Sequence, residues 1–237
     1  MMRTFISILI LLCTLKISNA QYIRDHISIG IGPSMLYGDN AGEYTAFKFK
    51  ILPSATLAYN NQIADIMDLR ATFGVQMLNS GGYDPLNTGR VVRWGDNDQA
   101  FDFKGNAYFG DIMSVVNFNP NIPGRAGEIA NFYAGLGLGV MYVNRDQEVL
   151  KNGRIENEIL LEGEIIKSKQ STTLAYLPFR VGVSTNLESD WDYSFDFSLF
   201  TALDSGLDGN NMKTKRIKPD MMGQFQIVIK RYFGRSW

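Results

Sequence analysis

Met67-Asp68-Leu69-Arg70-Ala71-Thr72-Phe73-Gly74-Val75-Gln76-Met77-Leu78 alternates apolar and polar side chains almost without interruption. Leu69, Ala71, Phe73, Val75 and Met77 share one face, and Asp68, Arg70, Thr72, Gly74 and Gln76 share the other. A period of two belongs to a β-strand, whose successive side chains point to opposite sides of the sheet.

Seven further stretches carry the same period. Upstream, His26 to Tyr37 sets Ile27, Ile29 and Ile31 against Ser28, Gly30 and Gly32, and Phe49 to Asn60 sets Ile51, Pro53, Ala55, Leu57 and Tyr59 against Lys50, Ser54, Thr56 and Asn60. Downstream, a fourth strand runs from about Ala100, with Phe101 and Phe103 flanking Asp102, to Asn119; its phase blurs near Gly110 and Asp111, where a bulge is expected. The fifth, Asn131 to Asn144, opposes Phe132, Ala134, Leu136, Leu138, Val140 and Tyr142 to Tyr133, Gly135, Gly137 and Gly139. In the sixth, Thr172 to Asn186, Ala175, Leu177, Phe179, Val181 and Val183 oppose Tyr176, Arg180, Gly182 and Ser184. The seventh opposes Tyr193, Phe195, Phe197 and Leu199 to Asp192, Ser194, Asp196 and Ser198, and the last, Met221 to Phe233, opposes Phe225, Ile227 and Ile229 to Gln224, Gln226 and Lys230.

A hydrophobic content of 45% with 23 glycines suits a soluble β-sandwich as well as a barrel. The polar faces separate the two. A sandwich would turn them to water and load them with lysine and glutamate, whereas here Gly, Ser, Thr, Gln and Asn dominate. That composition fits the crowded interior of an eight-stranded membrane barrel, in which Asp68, Arg70, Arg180, Asp192, Asp196 and Lys230 are expected to form a mutually neutralising structural network. The reading is an all-β, eight-stranded antiparallel transmembrane barrel, filled rather than open.

The connections point the same way. Those near Asn61 to Asp65, Pro120 to Ala130 and Leu187 to Asp190 are short; those near Gly38 to Lys48, Asn79 to Gln99, Arg145 to Ser171 and Thr201 to Asp220 are long. An outer-membrane barrel with an even number of strands places both termini and its short turns in the periplasm and its long loops outside. Tyr37, Tyr59, Tyr142, Trp191, Tyr193, Tyr232 and Phe233 fall at strand ends, where interfacial aromatic girdles lie.

Export is expected from residues 1–20, with Arg3, an apolar run from Phe5 to Leu12, and Ser18-Asn19-Ala20 before a cleavage point. The barrel domain then spans 21–237. The apolar run is too short to cross a bilayer as a helix. Cys13, the only cysteine, lies inside that signal behind the bulky Leu12, which argues against lipidation and leaves no thiol chemistry to the barrel. The formal charge of −1 becomes −3 without Arg3 and Lys16, so no basic field for nucleic acid exists.

Several of these segments together resemble the PorG-like outer-membrane β-barrel proteins of the type IX secretion system of Bacteroidetes. The likeness lies in Tyr37-Gly38-Asp39, in Phe101-Asp102-Phe103 through Asp111-Ile112-Met113 to Asn117-Phe118-Asn119, in Phe132 to Tyr142, in Leu177-Pro178-Phe179-Arg180-Val181-Gly182-Val183, and in Phe200-Thr201-Ala202-Leu203-Asp204. The chain departs from the family in carrying Arg180 after Pro178-Phe179, and Ala202-Leu203-Asp204 in place of a Thr-Asp-Tyr-Leu-Asp type ending. The resemblance implies a non-catalytic component, held in outer-membrane lipid, that docks periplasmic secretion-ring proteins. Its contact surface would be the periplasmic turns, which offer Asn61, Gln62 and Asp65, then Asn121, Arg125 and Glu128, then Glu188 and Asp190. The alternative is a small structural or adhesion barrel of the OmpA or OmpX type acting through its outer loops. Of these, Arg145 to Ser171 reads as a solvated hairpin extension in which Ile159, Leu161 and Ile165 alternate with polar residues.

Enzyme and metal chemistry find little support. His26 and Ser28 share a strand face, as in the His-x-Ser pair of outer-membrane lipid A deacylases, but they sit at the periplasmic start of the first strand and point inward, away from lipid. Asp204, Asp208, Asn210 and Asn211 read as an Asx-rich turn, because their spacing departs from that of a calcium loop. No catalytic residue, cofactor, metal or small-molecule substrate is assigned.

Overall fold

The structure, a computed structural model, describes residues 25–41, 50–81, 89–120, 129–157, 159–185, 190–212 and 217–233. The expected signal, 1–20, lies outside them. Eight strands form a closed antiparallel barrel in sequence order: β1 (His26–Tyr37), β2 (Leu52–Ala64), β3 (Met67–Asn79), β4 (Asp102–Asn117), β5 (Ala130–Glu156), β6 (Ile159–Thr185), β7 (Trp191–Ala202) and β8 (Met221–Tyr232), which pairs back onto β1. No helix among the described residues is long and apolar enough to cross a membrane.

The strand phases place aliphatic and aromatic side chains outside. Ile29, Ile31, Leu57, Phe73, Ile112, Leu136, Leu138, Val140, Phe195 and Ile227 are each more than half exposed, on the face a bilayer covers. Tyr59 stands outward toward the end of β2, and Tyr108 and Tyr142, paired across β4 and β5, stand outward in mid-strand. Tyr232 departs from the girdle expected for it: its ring lies 4.6 Å from that of His26, at the mouth of the lumen.

Four features differ from the sequence reading. β2 continues through Asn61 and Gln62 to Ala64, with a register irregularity between Gln62 and Ala64, so Asp65 and Ile66 alone separate β2 from β3. β4 keeps one register against β3 and β5 through Gly110 and Asp111, without the expected bulge. Its phase is hard to read because Phe103, Ala107, Phe109, Met113 and Val115 point inward, so both faces are apolar. β5 and β6 are 27 residues each, where ten or so cross a membrane; their paired outer parts fill most of the stretch from Arg145 to Ser171. A helix, α1 (Gly89–Asp96), occupies the long β3–β4 connection.

Inside, the barrel is filled in two layers of opposite character. The half toward the long loops holds one apolar cluster that includes Leu78, Phe109, Met141, Tyr176, Phe200 and Met222. Phe200 packs against Phe109 and Tyr176 at centroid distances of 4.9 and 5.2 Å. Space for the large rings comes from glycines directly across the ladder: Phe109 pairs with Gly74, Tyr176 with Gly139, and Tyr133 with Gly182. A Cβ on Gly139 would lie 2.4 Å from the Tyr176 ring, and one on Gly74 2.3 Å from Phe109. The other half, toward the chain termini, is mainly polar, with Met113, Val115 and Tyr133 forming a small apolar cluster on one side of it.

Candidate functional site

The polar half of the lumen is built from side chains one strand position in two. Asp196 is its centre: Arg70 approaches it at 3.3 Å, Arg180 Nε at 3.9 Å, and the Tyr133 hydroxyl donates to its other oxygen. Arg180 Nε also donates to Ser198 Oγ at 2.7 Å, while both of its Nη atoms have no acceptor among the described residues. Lys230 lies 4.4 Å from the Tyr133 ring centroid, a cation–π contact. Of the six charged residues singled out by sequence, Arg70, Arg180 and Asp196 meet directly. Asp68 instead accepts from Asn117 Nδ2 at 2.9 Å, and Asp192 accepts from the Thr185 hydroxyl. Tyr133, Asp111 and Tyr176 complete the layer, the Tyr176 hydroxyl donating to Asp111 at 2.8 Å. They belong to the pattern of inward positions but carry no motif that would single them out.

Above these groups a belt of amides separates polar from apolar. Gln224 Nε2 donates to Gln76 at 3.0 Å, Gln226 Nε2 to Ser54 at 3.1 Å, and the Thr56 hydroxyl to Gln226 at 2.9 Å.

Below, the polar layer opens at the rim that carries the strand termini, the periplasmic end in a barrel of this kind. A depression of about 40 Å³ is lined there by His26, Gln62, Asp65, Asp68, Asn117 and Tyr232, among others. The rim is stiffened by Asp25, which accepts from the Tyr59 hydroxyl at 2.7 Å, Asn61 Nδ2 at 2.9 Å and the Gln62 N–H at 3.2 Å. Between β4 and β5, Asn131 Nδ2 donates to Asn117 at 2.8 Å and Asn131 Oδ1 accepts from the Asn119 N–H at 3.1 Å. Asn61 and Gln62 therefore sit in a strand end held by Asp25, and Asp65 forms the turn itself. Asp190 is exposed, its carbonyl accepting from the Tyr232 N–H at 2.8 Å. Asn121, Arg125, Glu128 and Glu188 lie outside the described residues. His26 and Ser28 are buried at this mouth and face inward, with Asn60 Nδ2 3.5 Å from Ser28 Oγ.

The opposite end is sealed. Leu207 from the β7–β8 connection and Ala41 from the β1–β2 connection join the apolar cluster. Asp208 accepts from the backbone N–H groups of Asp39, of Asn40 at 3.2 Å and of Asn210 at 2.8 Å. Asp220 accepts from Gly206 and Leu207 N–H at 3.0 and 2.9 Å. Asn40 Nδ2 ties Ala100 O and Asp208 O at 2.8 and 3.0 Å. Carboxylate oxygens of Asp39, Asp208 and Asp220 come within 4.8 Å of one another, all buried, and Arg145 supplies positive charge beside them. Burial pushes the Arg145 guanidinium below its ordinary range, and Asp208 and Asp220 pull it back. The Asx-rich group read from sequence is thus divided: Asp208 and Asn210 are buried ties, while Asp204 is exposed and accepts from the Ser205 N–H, and Asn211 is exposed, its N–H donating to Gln99.

Outside the membrane, α1 packs on the β5 flank of the long hairpin. Val91 and Trp94 bury against Leu150 and Phe101, and Gly95 comes so close that a Cβ there would lie 1.6 Å from the Leu150 carbonyl oxygen.

No protein-family model matches the chain, and no curated protein does. Among solved structures it is similar to Neisserial surface protein A, at a TM-score of 0.51 and 10% identity, over 88% of this chain and 97% of that one. It also matches Ail, the attachment invasion locus protein of Yersinia pestis, at a TM-score of 0.47 and 13% identity, over 90% of this chain and all of the other. The chain has the fold of eight-stranded outer-membrane β-barrels.

Proposed function

We propose that this barrel is a non-catalytic component of a protein secretion apparatus, PorG-like and of type IX, that docks periplasmic ring proteins through its periplasmic rim. The observation that carries the reading is the asymmetry of the two ends. One end is sealed by apolar packing and buried loop ties; the other presents a polar depression in a rim fixed by Asp25, Asn117 and Asn131. A rim ordered by hydrogen bonds before a partner arrives binds with less loss of conformational freedom. The sequence resemblance supplies the class of partner.

The test is affinity capture from detergent-solubilised envelopes, with a tag near Gly153, repeated with Gln62→Ala/Asp65→Lys and with Arg125→Glu/Glu128→Lys. Recovery of periplasmic ring proteins, weakened at least by the first pair, is the expected result. A lone barrel, or capture insensitive to both pairs, refutes the docking role. The second reading, a structural or surface-adhesion barrel of the OmpA or OmpX type, draws support from the 27-residue hairpin strands. It predicts loss of function from hairpin deletions alone.

A further inference from the structure

The two flanks of the β5–β6 hairpin are treated differently. On the β5 side, β4 pairs as far as Glu148 and α1 packs beyond it. On the β6 side, β7 pairs only up to Tyr176↔Ala202, and one further bond, Leu203 N–H to Ala175 O at 2.9 Å, ends the ladder. Above Ala175 no described strand pairs with that flank of β6, and its residues from Ile159 to Thr173 are almost all exposed.

That terminal bond fixes which backbone groups the open flank presents. Ala175 points its N–H and C=O toward β7, and these groups alternate sides along an antiparallel strand. The β5–β6 register is unbroken from Val140↔Ala175 to Leu150↔Ile165. Thr173, Ser171, Lys169, Lys167 and Ile165 therefore aim their N–H and C=O groups outward, while the even-numbered residues between them bond β5. Natural sheets cover or blunt such an edge. Here α1 covers one flank and nothing described covers the other.

We infer that the β6 edge from Ile165 to Thr173 is an extracellular strand-addition site for an extended, acidic polypeptide segment of a partner protein. The backbone row supplies the ladder. Charge supplies the preference: the side chains of Lys167 and Lys169 are 75% and 85% exposed, and their carboxylate partners, Glu148 at 2.7 Å and Asp146 at 3.9 Å, lie on the β5 side. A strand arriving on the open flank meets the two lysines first, with Glu148 and Asp146 one strand behind them. Acidic side chains directly opposite them in the ladder are favoured and basic ones disfavoured. A second copy in the same membrane does not fit. Antiparallel self-pairing needs a two-fold axis normal to the sheet, hence in the membrane plane, which turns the two barrels head to head. The inference is independent of the periplasmic docking role.

The test is amide hydrogen exchange on the full chain in detergent micelles, with a decapeptide of alternating threonine and glutamate and its threonine–lysine counterpart. In the free protein the amides of Ile165, Lys167, Lys169, Ser171 and Thr173 exchange fast, and those of Ile166, Ser168 and Gln170 slowly. The acidic peptide is expected to slow the first set by about tenfold or more and leave the second unchanged. Ser171→Pro, which removes an outward N–H and keeps both lysines, abolishes the effect while the even-numbered amides stay protected. The inference is overturned by an absence of slowing, by equal slowing with the basic peptide, or by odd-numbered amides already protected in a concentration-dependent manner, which identifies a second copy as the occupant.

Discussion

The same inward faces change character along the barrel. On β7 the inward side chains run Asp192, Ser194, Asp196, Ser198, then Phe200 and Ala202; on β3 they run Asp68, Arg70, Thr72, Gly74, Gln76, then Leu78. The periplasmic half is held by directional bonds around Asp196, the outer half by ring packing around Phe200. A buried charge network fixes geometry but depends on every partner, whereas an apolar plug excludes water and tolerates replacements of similar volume. The difference assigns closure to the outer half and leaves the polar half open to the periplasm at its mouth.

Substitutions at four positions break or sharpen this contrast, each read from the denaturant midpoint of the heat-modifiable gel shift in detergent. Asp196→Ala strips Arg70 and Arg180 of their shared carboxylate and is expected to destabilise the barrel by about 3–5 kcal/mol; a neutral result would mean that the network contributes nothing. Phe200→Ala is expected to cost about 3–4 kcal/mol through the cavity left between Phe109 and Tyr176, with Phe200→Leu recovering most of it. If Phe200→Leu proves as damaging as alanine, ring geometry outweighs volume. Tyr176→Phe removes only the hydroxyl that Asp111 accepts, at the boundary of the two layers; a loss of about 1–3 kcal/mol is expected, and none if Asp111 finds another donor. Ile29→Val, on the lipid face, should stay within about 0.5 kcal/mol. A larger change there would contradict the outward assignment of β1.

Alternation was legible wherever one face meets lipid and the other meets a polar lumen, so every strand but the fourth was read in the right phase. The reading failed where that contrast vanishes. β4 is apolar on both faces, because Phe103, Ala107 and Phe109 line the plug and Met113 and Val115 pack on Tyr133 below it, which mimics a phase slip at Gly110. The outer part of β6 is wet on both faces, so only the alternation of Ile159, Leu161 and Ile165 pointed to the hairpin extension that the structure shows there. The eight residues of α1 carry only Val91 and Trp94 as a three-residue apolar spacing, too little to mark a helix among Gly89, Gly95 and Asp96. Asp39, Asp208 and Asp220 are brought together only by barrel closure, which joins β1 to β8. Asp68, Arg70, Arg180, Asp192, Asp196 and Lys230 could be picked out as inward charges, but their division into direct pairs and amide- or hydroxyl-held carboxylates depends on reach across the lumen.

At about 3.3 Å per residue, β5 from Tyr142 to Glu156 measures about 46 Å along the strand, against the roughly 30 Å of hydrocarbon that the barrel crosses. On this one side the protein extends farther beyond the lipid than it penetrates into it. An antibody or protease arriving from outside meets the hairpin tip first, so proteolytic nicking there reports on surface display while the barrel itself stays beyond reach.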